Sequence, residues 1–75
     1  MDRRKEAREN AQRLVMALGI EEMIVLGYNC FQTALDETIN KEIRIATLET
    51  ALAEYENQNY HDIAHAIYQL IKVTR

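Results

Sequence analysis

The sequence predicts an all-α protein, a small antiparallel bundle of about four helices completed by self-association. Three observations carry that expectation. Proline is absent and glycine occurs only twice, too few turn formers for a sandwich or barrel of many short strands. Apolar residues recur at the i, i+3/i+4, i+7 spacing of one helical face in four successive stretches. Finally, the 75 residues read as one domain, residues 1–75, and a chain of this length buries only ~60–65% of its unfolded surface, which leaves a lone copy marginal. A content of 48% hydrophobic and 28% charged residues is that of a folded chain rather than a disordered one. Disulfides, a metal or a partner are the usual remedies for shortness. Cys30 is the sole cysteine, which excludes an internal disulfide, and no Cys/His cluster marks a structural zinc. Association remains.

The first helix is expected over residues 2–18, with Ala7, Ala11, Leu14, Val15 and Leu18 as its stripe. Gly19 follows it and accepts a left-handed C-terminal cap. The second helix, residues 20–38, carries Ile20, Met23, Ile24, Gly27, Phe31, Ala34 and Leu35 on one face. Glu21 and Glu22 stand in its first turn, where the helix dipole favours acids. Asn40 is placed to cap a third helix, residues 41–56, with Ile45, Leu48, Leu52 and Tyr55 in register. Neither Gly nor Pro marks this break, so one helix running through Asn40 is the alternative.

Glu56, Asn57, Gln58 and Asn59 form the plainest loop, bracketed by Tyr55 and Tyr60, which would staple it. Asn59 and Asp62 have the spacing of a capping pair for a fourth helix, residues 60–73. Its buried face is Tyr60, Ile63, Ala64, Ile67 and Ile71, with Leu70 at the margin. Short connections between helices make neighbours antiparallel.

Charge is unevenly placed. Residues 1–18 hold five bases against three acids, net +2, and residues 19–75 hold four bases against nine acids, net −5. The overall −3 disfavours nucleic acid as a partner, because phosphate neutralisation supplies most of that affinity. Arg3, Arg4, Lys5 and Arg8 could still meet an acidic partner locally, although Glu6 and Glu9 interrupt them. No 18-residue apolar run spans a membrane. The charged start lacks the apolar core of a signal peptide, and a single free cysteine fits a reducing compartment. A cytoplasmic location is the expectation.

From Gly27 onward the chain resembles tetratricopeptide-repeat hairpins. Gly27, Phe31, Ala34 and Leu35 are similar to the second helix of such a repeat, and Ile45, Leu48 and Leu52 to the first helix of the next. Asn59 and Tyr60 resemble the start of the second helix after that. Glu49 replaces the family's small residue, Gln58 its turn glycine and Ile39 its proline. One and a half repeats fit at most, where stable stacks need three or more. Any antiparallel helix pair yields part of this pattern, so no membership is drawn. The resemblance would imply a peptide-binding or adaptor role.

His61 and His65 lie at i and i+4 with Asp62 between them, the spacing with which one helical face holds a metal in H-E-x-x-H zinc proteases. Asp is a methylene shorter than the Glu of that motif, and no third ligand is identifiable. The plainer reading is a polar contact face of His61, His65, Tyr68 and Lys72, with no metal and no cofactor. Cys30 lacks a neighbouring base and reads as a small buried hydrophobe rather than a nucleophile. No constellation supports an enzyme.

Met16, Val25, Leu26 and Ile43 fall off the helical stripes, and Tyr28 stands beside them. Helices apolar on several sides are normally buried on several sides, and this chain has few helices with which to do it. These five residues are the expected interface. The functional expectation is a non-enzymatic protein-protein interaction or regulatory module, of adaptor or inhibitor type, whose partners are a second copy and another protein. The alternatives are a small-ligand-binding helical oligomer and then a DNA-binding regulator.

Overall fold

A computed structural model describes residues 3–75. Among them are four helices and no strand, namely α1 (Arg3–Leu18), α2 (Glu21–Leu35), α3 (Lys41–Asn57) and α4 (His61–Thr74). The expected start of the first helix at residue 2 lies outside the described residues. Each helix packs against two others, α1 on α2, α2 on α3, α3 on α4 and α4 back on α1. The order closes into a ring with little contact across either diagonal. An open stack of repeat hairpins would add each pair to the outside of the last, leaving α1 and α4 apart. Their packing excludes that arrangement.

Neighbours run antiparallel, as side-chain links at each end of the ring show. Arg4 of α1 meets Glu37 beyond the C-terminus of α2 at 3.2 Å. Arg44, early in α3, reaches the carbonyl of Ala34, late in α2, at 3.5 Å. Lys41 Nζ donates to the Arg75 carbonyl at 2.7 Å, joining the start of α3 to the end of α4. At the opposite end, the Tyr55 hydroxyl donates to the Met23 carbonyl at 2.5 Å, tying the last turn of α3 to the first turn of α2.

The core draws on every helix. Val15, Phe31, Leu48, Tyr55, Ile63, Ile67, Leu70 and Ile71 supply its bulk, and Ala11, Ala34, Ala51, Ala64, Ala66 and Cys30 let the helices approach closely. Leu70, expected at the margin, has no exposed surface. With α1 on one flank and α3 on the other, the buried arc of α4 is wider than a single stripe. Ile20 goes the other way: it precedes α2 and is 37% exposed. Gly27 is the point of closest approach. A Cβ there would lie 3.0 Å from the Tyr55 hydroxyl and 3.0 and 3.2 Å from the two Val15 methyls.

The helix ends show which local chemistry prevailed. Gly19 takes φ +69° after α1, with open space where a Cβ would stand, as its position after the stripe predicts. The helices do break at Asn40, whose side chain accepts from the Glu42 N–H at 2.7 Å. The second helix stops at Leu35 rather than residue 38. Asp36 ends it by accepting from the Thr38 N–H at 3.0 Å and the Thr38 hydroxyl at 2.5 Å, a local bond that competes with helix. Asn59 does not cap α4. It sits at φ +66° as the left-handed residue closing α3, with Tyr60 N–H donating to Tyr55 O at 2.9 Å and Asn59 N–H to Glu56 O at 3.0 Å. That is the Schellman pattern. The hydrophobic contact that accompanies it is the Tyr55–Tyr60 ring pair, 6.5 Å apart and edge-on at 66°, so the two tyrosines staple this loop as their positions predict.

Two substitutions test this packing by urea melts. Gly27→Leu forces a side chain against Val15 and Tyr55 and should cost about 2–3 kcal/mol, overpacking outweighing the better helix propensity; an unchanged midpoint would refute the close approach. Asn59→Ala should cost about 1 kcal/mol because alanine tolerates the left-handed region poorly, while Asn59→Gly should match or exceed the wild type.

Candidate interaction surface

Met16, Val25, Tyr28 and Ile43 are all about half exposed, between 48% and 57%. Large apolar side chains standing free singly are ordinary, so their grouping decides their significance. Gln12 of α1 lines a seam groove with Tyr28 and Gln32 of α2. Met16 follows Gln12 by four residues, on the same ridge one turn further along. Val25 precedes Tyr28 by three residues and shares its ridge in the same way. Met16, Val25 and Tyr28 therefore occupy one outer face of the α1/α2 hairpin, toward its Gly19 end.

Leu26 and Ile43 do not join that group. Leu26 is half-buried and packs against the core on the other flank of α2. Ile43 lies in the first turn of α3, at the end of the ring where Arg44 reaches the last turn of α2. The bundle's length separates it from Met16 and Val25.

Charge marks the same face. The exposed residues of α2 are Glu21, Glu22, Val25, Tyr28, Asn29 and Gln32, so from Val25 to Gln32 its outer side carries no Asp, Glu, Lys, Arg or His. Helices α1 and α3 have charged residues throughout their outer faces, such as Lys5, Glu9 and Arg13 on α1 or Glu42, Glu49 and Glu56 on α3. By contrast, α4 has Asp62 and Lys72 near its two ends with His65, Tyr68 and Gln69 between them.

His61, His65, Tyr68 and Lys72 are exposed on one side of α4, as their spacing predicts. Lys72 Nζ stands 5.7 Å over the Tyr68 ring, within cation–π range, and Gln69 Nε2 lies 3.3 Å from His65 Nε2. Glu56 of α3 lines a shallow groove with His61, His65 and Tyr68. Among the described residues no group of three His, Cys, Asp or Glu is arranged to hold a metal, and no helix is long and apolar enough to cross a membrane.

Cys30 is 1% exposed, and burial pushes its thiol up to about 12. A thiol so protonated is a packing group, since the thiolate is the nucleophile. Burial, and secondarily the nearby Cys30, pushes the Tyr55 phenol up to about 12 as well. Asp36 moves the opposite way. The Thr38 hydroxyl and N–H, with Arg44 nearby, hold its exposed carboxyl below the ordinary range. No family model, no curated protein and no solved structure matches the chain.

Burial within the basic stretch is what the sequence does not show. Arg8, one of the four bases placed to meet an acidic partner, has a buried Nε with no hydrogen-bond partner. Only the pairing of α1 with α2 creates that environment.

Cys30 and Tyr55 keep their protons in the folded state to higher pH than in the unfolded chain. Their contribution is complete below the unfolded values of about 9 and 10 and is lost as pH rises towards about 12. Unfolding free energy from urea melts should fall across this window by about 1.4 kcal/mol per pH unit for each retained proton. In Cys30→Ala the slope should lose one proton's share. A stability that holds level to pH 12 would contradict the buried, protonated pair.

Proposed function

We propose that the protein is a non-enzymatic docking module whose outer α2 face, with Met16 of α1 beside it, meets a second copy of the chain. The observation that carries this reading is the uncharged stretch from Val25 to Gln32 with Val25 and Tyr28 half exposed. Centres of protein interfaces are depleted of charge and enriched in aromatic residues and methionine. A two-fold contact sets one patch against itself. A charge on the two-fold axis meets its own copy, and one off the axis needs an opposite charge elsewhere in the patch, so an uncharged patch pairs with itself at no Coulomb cost. Glu21 and Glu22 stand at the rim, where charges orient an approach more than they bind.

The need for a partner does not come from an open core. The accessible surface, 4952 Å², is close to the ~4800 Å² that scaling gives for a monomer of this mass. The ring closes its own interior, and the apolar side chains left outside motivate the second copy. In this reading the role is regulatory, with assembly rather than chemistry as its output. A cytoplasmic setting accords with the reduced thiol of Cys30.

Sedimentation equilibrium from micromolar to millimolar concentration tests the reading. Wild type should associate, and Val25→Glu or Met16→Glu should return it to monomer with the helical signal unchanged and the melting temperature of wild type at dilutions where it too is monomeric, because both side chains are half exposed. A wild type that stays monomeric throughout, or variants that associate equally well, would overturn it.

A further inference from the structure

We infer that the seam between α1 and α2, at the end away from Gly19, is a docking groove for an acidic amphipathic segment of another protein, with Arg8 as its carboxylate anchor. Two hollows of about 400 and 260 Å³ adjoin there and share Arg8 and Leu35. Tyr28, Phe31 and Leu35 give the groove an apolar side, and Arg4, Lys5 and Arg8 of α1 give it a basic wall.

Arg8 makes this more than a basic stretch of helix. Its Nε is buried without a partner, and among the described residues its guanidinium has neither a hydrogen bond nor an ion pair. The one buried N–H costs the fold a hydrogen bond, and the terminal nitrogens of this half-buried arginine, unpaired but not enclosed, are left for an incoming acceptor. The chain's own acids beside the groove are committed elsewhere: Glu37 pairs with Arg4 at 3.2 Å and Asp36 accepts twice from Thr38. A guanidinium presents a planar fork that fits a carboxylate bidentately.

The apolar wall selects among anions. A free anion would leave Tyr28 and Leu35 unused, whereas an amphipathic segment sets apolar side chains on them and carboxylates on Arg8 and Lys5. Nucleic acid fits poorly, because a polyphosphate needs an unbroken track of cations and Asp36 and Glu37 interrupt this one, whereas a segment with one or two carboxylates needs only Arg8 and Lys5. The inference stands independently of self-association, although Tyr28 and Gln32 belong to both surfaces.

The test is selection of a random peptide library displayed against the wild-type protein, followed by fluorescence anisotropy with a synthesised, labelled consensus peptide. Selected peptides should be enriched in Asp or Glu spaced with Leu or Phe, and Arg8→Gln should weaken the consensus peptide by about tenfold or more. The melting temperature of a second variant, Arg8→Met, should equal or exceed that of wild type, since it keeps the apolar stem and removes the unpaired buried N–H; a structural arginine would show the reverse. Lys5→Glu, at an exposed position, should weaken binding too and serves if Arg8→Gln does not fold. A selection that yields no binders or no acidic bias, affinity unchanged in both variants, or tighter binding of a duplex oligonucleotide than of the peptide would overturn the inference.

Discussion

Tyr55 is the side chain on which the arrangement of the helices depends. It has no exposed surface, its hydroxyl donates to the Met23 carbonyl, and its ring meets Tyr60 across the turn into α4. Gly27 and Val15 converge on the same place, so α1, α2, α3 and the start of α4 are fixed around one phenol. A buried hydroxyl without an acceptor is costly, and the carbonyl that receives it is in the first turn of α2. That requirement sets the register of α3 on α2. Gly27 removes the side chain that would stand in the way. The large-to-small alternation in the rest of the core, isoleucines and leucines against alanines, follows from the same close approach.

Much of this was legible in the sequence, and the exceptions share a cause. The four helices, the turn at Gly19, the break at Asn40 and the stapled loop after Tyr55 are written in local spacing and cap chemistry. Residues 36–38 and Asn59 were misread because Asx and left-handed conformations are decided by bonds between particular atoms, which apolar periodicity does not record. Leu70 was placed at a margin because a stripe marks only the centre of a buried arc, and α4 has neighbours on both sides. Ile20 failed for the opposite reason, lying at a terminus where the stripe has nothing left to pack on. The off-stripe residues Met16, Val25 and Tyr28 were visible as surplus apolar surface, and the structure leaves them exposed. That Leu26 and Ile43 stand apart from them depends on which helix flanks which, and on distance along the bundle. Arg8 depended on the same knowledge.

The surface divides by chemistry more sharply than the net charge implies. Basic residues gather at the start of α1, acids on α3, histidines on α4 and an uncharged strip along α2. A scaffold of rigid helices with differing faces is suited to holding partners in fixed relation, and it needs no cavity for that. The α1/α2 hairpin carries both the uncharged strip and the basic groove, with Tyr28 and Gln32 common to them. A second copy and an acidic segment would thus compete for part of one surface, and by linkage each would weaken the other.

The claim that the α2 outer face is where the protein meets its own copy is tested most directly by backbone amide NMR shifts followed on dilution from millimolar to micromolar concentration. The face described above predicts shifts that move together and cluster at Met16, Val25, Tyr28, Asn29 and Gln32, with α4 unaffected. Shifts that stay constant on dilution, or that cluster on α3 and α4 instead, would contradict it.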